Sequence, residues 1–207
     1  QPENEFFRAC WPFGGKDMNA KYVIIGNSAG AIGGVEGIRA LDKEGDIIMV
    51  SSESYFTYSR PLISYLLCGE TDMQRIKYRS DNFYEENKAV LLSGRTAKKI
   101  DADIKCVYLD NGEKIEYQKL LYAAGSRPFI PPIAGLEQVE KKFTFMSLDD
   151  ALALEQAVNN QTRVLIMGAG LIGLKCAEGL YGRAGSITVV DLADRVLPSI
   201  LDEQSAS

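Results

Sequence analysis

Gly168, Gly170 and Gly173 stand in "LIMGAGLIGLK" at the spacing G-x-G-x-x-G, and each glycine has a separate task in holding a pyrophosphate. The first permits a tight turn off a strand, the second lets the backbone approach the phosphates, and the third lets helix and strand pack closely. Backbone N–H groups and the positive end of the following helix then face the anion. An apolar run precedes this motif, a helical pattern follows it, and "ITVVD" closes the unit with Asp191. A carboxylate about twenty residues beyond the first glycine accepts ribose hydroxyls, which suits NAD(H) and repels a 2′-phosphate.

A looser copy occurs earlier, in "YVIIGNSAGAIGG". Here Gly26, Ser28 and Ala31 fill the three positions. Serine adds only a small side chain, and its hydroxyl can donate to a phosphate. The closing acid is displaced, because "IIMVSSE" offers Ser51 and Ser52 before Glu53. Alone, this segment reads either as a nucleotide loop or as a plain strand-helix-strand turn. Its repetition downstream favours the nucleotide loop.

The rest of the inventory narrows the chemistry. The chain has 207 residues and no histidine, which excludes a Ser-His-Asp or Cys-His arrangement and any His-ligated metal. No catalytic side chain and no metal site are assigned, and a bound cofactor is expected to carry the difficult chemistry. Cys10, Cys68, Cys106 and Cys176 lie far apart, which is neither a disulfide framework nor a zinc pattern. A net charge of −5 argues against a nucleic-acid partner. No apolar stretch approaches the roughly 18 to 20 residues of a membrane span. The start "QPENEFFRACWPFGGKD" lacks the pattern of a signal peptide, so a cytoplasmic protein is expected.

These loops need elements to position them. The pattern predicts a strand over 21–25, a helix over 29–43 with Ile32, Val35, Ile38 and Leu41 on one apolar face, and a strand over 47–50. A polar-aromatic loop then leads into a short helix, and "YRSDNFYEENK" reads as a surface helix. "AVLLSG" is a further strand, and "CVYLDNGEKIEY" is a hairpin turning at Asn111 and Gly112. "KLLYAAGSRPFIPPIAG" is an apolar strand broken at Gly125, with Pro128, Pro131 and Pro132 preventing its continuation. "SLDDALALEQAVNN" is a helix capped by Ser147. The predicted class is α/β, with residues 1–20 as an extension, 21–135 as a first nucleotide domain and 136–207 as a linker helix and half of a second. In the leader, Phe6, Phe7, Trp11 and Phe13 could dock on a surface or stay loosely packed, and Met18 stands just before the expected strand.

Two such units, with a hairpin and "AAGSRP" between them, resemble the FAD-dependent pyridine nucleotide-disulfide oxidoreductases. The stretch "YSRPLISYLL" is similar to the branch with rubredoxin reductases, NADH oxidase-like proteins and the N-terminal part of nitrite reductase large subunits. The resemblance implies tandem Rossmann-type domains, FAD on the first and NAD(H) on the second. By it, Gly26, Ser28 and Ala31 would hold the FAD pyrophosphate, and Glu53 or the backbone of Ser51 and Ser52 the adenosine ribose. Ser59, Arg60 and Pro61 would lie against phosphates and flavin, and Ala97 would meet adenine. Ala123, Ala124 and Gly125 match a segment at the domain crossing, followed by Arg127. Gly168, Gly170, Gly173 and Asp191 would hold NADH.

Three departures stand against that pattern. No paired redox cysteine corresponds, and Cys68 falls several residues beyond the place of the single-cysteine oxidases, so electrons are expected to pass through flavin with no thiol relay. Lys175 occupies a position where many relatives have glutamate. The resemblance also covers only about the first half of such a protein, leaving a sheet edge for a partner chain or a C-terminal half to complete. The resemblance implies hydride transfer from NADH to FAD and electron delivery to an acceptor, which stays open among a small redox protein, oxygen, nitrite-reducing centres and a quinone. A non-catalytic nucleotide-binding subunit or fragment is the alternative. An NAD-dependent enzyme without flavin fits less well with the YSRP and AAG segments.

Overall fold

The computed structural model describes residues 17–206, so Cys10 and the leader aromatics Phe6, Phe7, Trp11 and Phe13 lie outside the described residues. Two compact units emerge. One runs to Tyr58 and resumes over Tyr78–Gly125; the other takes Ser59–Lys77 and the chain from Ser126 onward.

The first unit is built on a six-stranded sheet of order β3-β2-β1-β6-β5-β4. Its strands are β1 (Asp17–Ile25), β2 (Ile47–Ser51), β3 (Ala89–Ser93), β4 (Ala97–Asp101), β5 (Cys106–Leu109) and β6 (Lys114–Tyr122). β1 pairs parallel with both β2 and β6, and β2 pairs parallel with β3. β4, β5 and β6 are antiparallel, with the Asn-Gly hairpin where the pattern placed it. β2 is buried at every position, which is why "IIMVS" reads as a continuous apolar run and not as an alternation. Helix α1 (Ala29–Leu41) packs Ala31, Ile32 and Val35 on one face of the sheet with Ile24, Met49 and Leu91. Met18, Val23, Ile25, Val50, Val107 and Ile115 fill the other face.

Three expectations change here. β1 begins at Asp17, so Asp17–Ala20 belong to the sheet and not to an extension; Met18 and Ala20 are buried between exposed Asp17 and Asn19. Leu41 does not join the apolar face of α1 and is 93% exposed. "YRSDNFYEENK" yields only the short helix α3 (Phe83–Glu86), whose Phe83 and Tyr84 are core residues. Helix α2 (Ile63–Cys68) precedes it in the chain.

The second unit contains α2, helix α4 (Leu148–Ala157), β7 (Arg163–Met167), helix α5 (Leu171–Leu180) and β8 (Ser186–Val190). β7 and β8 pair parallel in a sheet of their own. Leu67 of α2, Leu154 of α4 and Cys176 and Leu180 of α5 form its core. Gly179 allows α2 to come close, since a Cβ there would lie 3.0 Å from the Ser64 carbonyl oxygen. Ser147 caps α4 as expected, in a reciprocal capping box with Asp150. No helix among the described residues is long and apolar enough to cross a membrane.

Candidate functional site

The two glycine loops have the same construction. Gly26 and Gly168 sit at φ +126° and +117°, a region that L side chains rarely enter. Each turns the chain off its strand and donates its N–H to the second strand of its unit: Gly26 to Val50 O at 2.8 Å, Gly168 to Val190 O at 2.7 Å. Each following helix starts alike, with Ile32 N–H donating to Ser28 O and Leu174 N–H to Gly170 O, both at 3.0 Å. Ser28 therefore takes the place of Gly170, with extended backbone at φ −112°. It disrupts nothing.

The third positions differ. A Cβ on Gly173 would lie 1.9 Å from the Gly168 carbonyl oxygen, so that loop tolerates only glycine, whereas Ala31 is fully buried in the first-unit core. Glycine at the first position of the early loop has a second cause. A Cβ on Gly26 would lie 2.1 Å from the Ala123 carbonyl oxygen, while Ala123 N–H donates to Ile25 O at 2.8 Å. Ala123 is thus brought directly against Gly26. Ala124 follows it, and Gly125, at φ +71°, ends the unit.

Both helix starts are open to an anion. α1 and α5 have no side-chain cap bond and no acidic residue in their first turns, and a helix start leaves its first N–H groups without intrahelical acceptors. α4 shows the contrast, with its capping box and with Asp149 and Asp150 in its first turn. The short helices α2 and α3 also lack a side-chain cap bond, so it is the glycine loop in front of α1 and α5, together with the open start, that marks them. The N–H groups at these two helix starts fit one pyrophosphate at each loop, although in the second loop the Ala169 N–H is already taken by the Asp191 carboxylate.

The acids are placed differently. Asp191 follows β8 directly; its Oδ1 accepts from Ala193 N–H at 2.8 Å and its Oδ2 from Ala169 N–H at 2.6 Å. Those two N–H groups hold the carboxyl below the usual Asp range. The carboxylate is fixed beside its loop, with lone pairs left for a ribose hydroxyl. Because Val50 answers to Val190, Ser51 stands where Asp191 stands in the second unit. Ser51 Oγ donates to Glu53 O at 3.2 Å, and its own carbonyl accepts from Arg95 N–H at 2.8 Å. Glu53 Oε2 accepts from Tyr58 Oη at 2.6 Å, and Glu53 O accepts from Gly94 N–H at 3.2 Å. Ser51, exposed Ser52 and Glu53 thus gather with the β3–β4 turn beyond the end of β2, and Ala97 opens β4 half-buried.

The remaining candidates lie in the second unit. Ser59 N–H donates to Ile76 O, and the Arg60 guanidinium donates to Met146 O at 3.0 Å. Pro61 sits in the 3-10 turn Arg60–Leu62 that leads into α2, and Arg127 is exposed. Lys175 on α5 pairs with Glu178 and lies 4.2 Å from the centre of the Tyr65 ring; the Glu178 bond raises its pKa. Sequence reasoning missed Asn27, Tyr58 and Tyr84. Their partners are close in space, but no local spacing announces them.

Known proteins share this layout. The chain is 32% identical over 188 residues to the epsilon subunit of NADH-dependent phenylglyoxylate dehydrogenase of Aromatoleum evansii, covering 91% of this chain and 44% of the relative. It is 31% identical to NADH-rubredoxin oxidoreductase of Clostridium acetobutylicum, covering 83% of this chain and 45% of the relative. The crystal structure of the Clostridium acetobutylicum NADH:rubredoxin oxidoreductase superposes with a TM-score of 0.78 at 27% identity, over 91% of this chain and 48% of that one. The chain spans about half the length of the curated relatives it matches. Residues 20–207 match the family described as pyridine nucleotide-disulphide oxidoreductase, and the chain belongs to that family.

Proposed function

We propose that this chain is the dinucleotide-binding part of an FAD-dependent NAD(P)H oxidoreductase that passes electrons to an acceptor without a redox disulfide. The observation that carries the reading is the matched construction of the two loops, down to the N–H of each first glycine on the same strand position. Gly26, Ser28 and Ala31, with Ala123 to Gly125 behind them, would hold the FAD pyrophosphate, and Glu53 with the Ser51–Ser52 backbone its ribose. Gly168, Gly170 and Gly173 would hold the nicotinamide dinucleotide. The fixed carboxylate of Asp191 supports NADH over NADPH, because it accepts from a free 2′-hydroxyl and repels a 2′-phosphate. When bound, FAD would supply the two-electron redox chemistry between the nicotinamide and an acceptor.

The chain's own residues orient the two dinucleotides and neutralise their phosphates with backbone dipoles. Direct electron passage is supported by the thiols. Among the described residues Cys68, Cys106 and Cys176 are free, and burial pushes the Cys176 thiol up to about 11, away from the reactive thiolate. The names of the relatives, among them reductases of rubredoxin and putidaredoxin, support a small redox protein as acceptor. The test is an anaerobic titration of NADH into the chain loaded with FAD, followed by flavin absorbance. Bleaching of the bands is expected; retained bands that NADH leaves unchanged would overturn the reading.

A further inference from the structure

Asn27 lies between Gly26 and Ser28, inside the first phosphate loop, and both ends of its side chain are held. Its Nδ2 donates to Tyr55 O at 3.1 Å, and its Oδ1 accepts from Tyr84 Oη at 2.8 Å. The same phenol oxygen accepts from Thr57 N–H at 3.1 Å. One hydroxyl on α3 therefore ties the loop to the segment after β2. Tyr84 is itself immobilised, with its ring centroid 5.5 Å from that of Phe56 and 5.4 Å edge-on from that of Phe83. Burial raises its pKa, which keeps the phenol protonated as the donor that Asn27 Oδ1 requires.

The second loop is fixed by other means. It has Ala169 in the place of Asn27, and the Asp191 carboxylate takes the Ala169 N–H. In the first unit that carboxylate position is Ser51, whose hydroxyl is turned to Glu53 O. A loop that presents N–H groups to an anion gains from being fixed in advance, and gains more if the fixing does not consume those donors. A side-chain amide clamped from outside meets both conditions.

We propose that Asn27 and Tyr84 form a latch that sets the conformation of the first phosphate loop, acting as positioning residues for the pyrophosphate bound there. The inference rests on the reading of that loop as the FAD loop. Two variants test it: Tyr84→Phe, which removes only the hydroxyl, and Asn27→Ala, which removes the other partner. Backbone hydrogen exchange at residues 26–30 and 168–172, FAD and NADH dissociation constants, and ligand-free melting are measured for each beside the unaltered chain.

Both variants are expected to bind FAD about tenfold more weakly, the size of one or two net hydrogen bonds. Exchange should quicken at 26–30, while NADH affinity and exchange at 168–172 stay unchanged. Unaltered exchange and FAD affinity in both variants would overturn the latch, and so would an equal loss at both loops, which marks general destabilisation. If the unaltered chain binds no FAD, the assignment of the loop fails, and exchange at 26–30 alone decides whether the latch exists.

Discussion

Gly26→Ala and Gly168→Ala form a matched pair whose difference can be worked from the structure. Both glycines hold a positive φ, and an L residue forced there costs about 1–3 kcal/mol. Only Gly26 carries an added obstacle, because its new methyl would lie 2.1 Å from the Ala123 carbonyl oxygen and 2.7 Å from its carbon. Around Gly168 a Cβ meets nothing within 4 Å. Shifting packed backbone to admit a methyl costs about 1–3 kcal/mol more, so Gly26→Ala should lose about 2–6 kcal/mol and Gly168→Ala about 1–3 kcal/mol. Urea unfolding followed by circular dichroism measures both. The obstacle is main chain, so adding Ala123→Gly should not rescue Gly26→Ala. Equal losses in the two variants, or rescue by Ala123→Gly, would refute the packing of the AAG segment on the loop.

Three further outcomes are expected. The Asp191 carboxyl is held below its usual range by the Ala193 and Ala169 N–H groups, so its stabilising contribution is full above the ordinary Asp value of about 4. It is lost as pH falls through the lower folded value, so the stability gap between the unaltered chain and Asp191→Asn should close on acidification; a gap constant with pH would contradict this. Arg39, 8% exposed, donates to the carbonyls of Asn87, Asp42, Gly45 and Lys88. Arg39→Met strands those acceptors and should cost at least about 3 kcal/mol in urea unfolding. Thr57 is 2% exposed and its Oγ1 has no hydrogen-bond partner. Thr57→Val should therefore be neutral or raise stability by about 1 kcal/mol, and a clear loss would reveal a partner for that hydroxyl.

The second unit was legible because each of its parts is local. Strand, glycine spacing, helix and terminal acid all lie within one short window, and the structure returns β7, α5, β8 and the Asp191 bond to its own loop. The start of β1 was missed, because residues 1–20 read as an extension with Met18 just before the strand, although Asp17, Met18, Asn19 and Ala20 alternate exposed and buried within it. β4 escaped notice because its exposed Lys98 and Lys99 carry no apolar signal; charge on such a strand protects an open edge. Leu41 misled because helical spacing continues past the point where the sheet stops covering α1. The bond between Asn27 and Tyr84 spans 57 residues, a distance at which periodicity and spacing are silent. The same holds for Ser59, Arg60 and Pro61, which follow β2 in sequence yet pack in the unit of the second loop.

The central claim is that two loops of one design hold two different dinucleotides. Calorimetric titration tests it most directly, with FAD and NADH added separately and then each in the presence of the other. The account predicts one FAD and one NADH per chain, neither displacing the other, with Gly26→Ala removing only FAD binding and Gly168→Ala weakening only NADH binding. Mutual displacement at a single site, or no FAD binding at all, would contradict it.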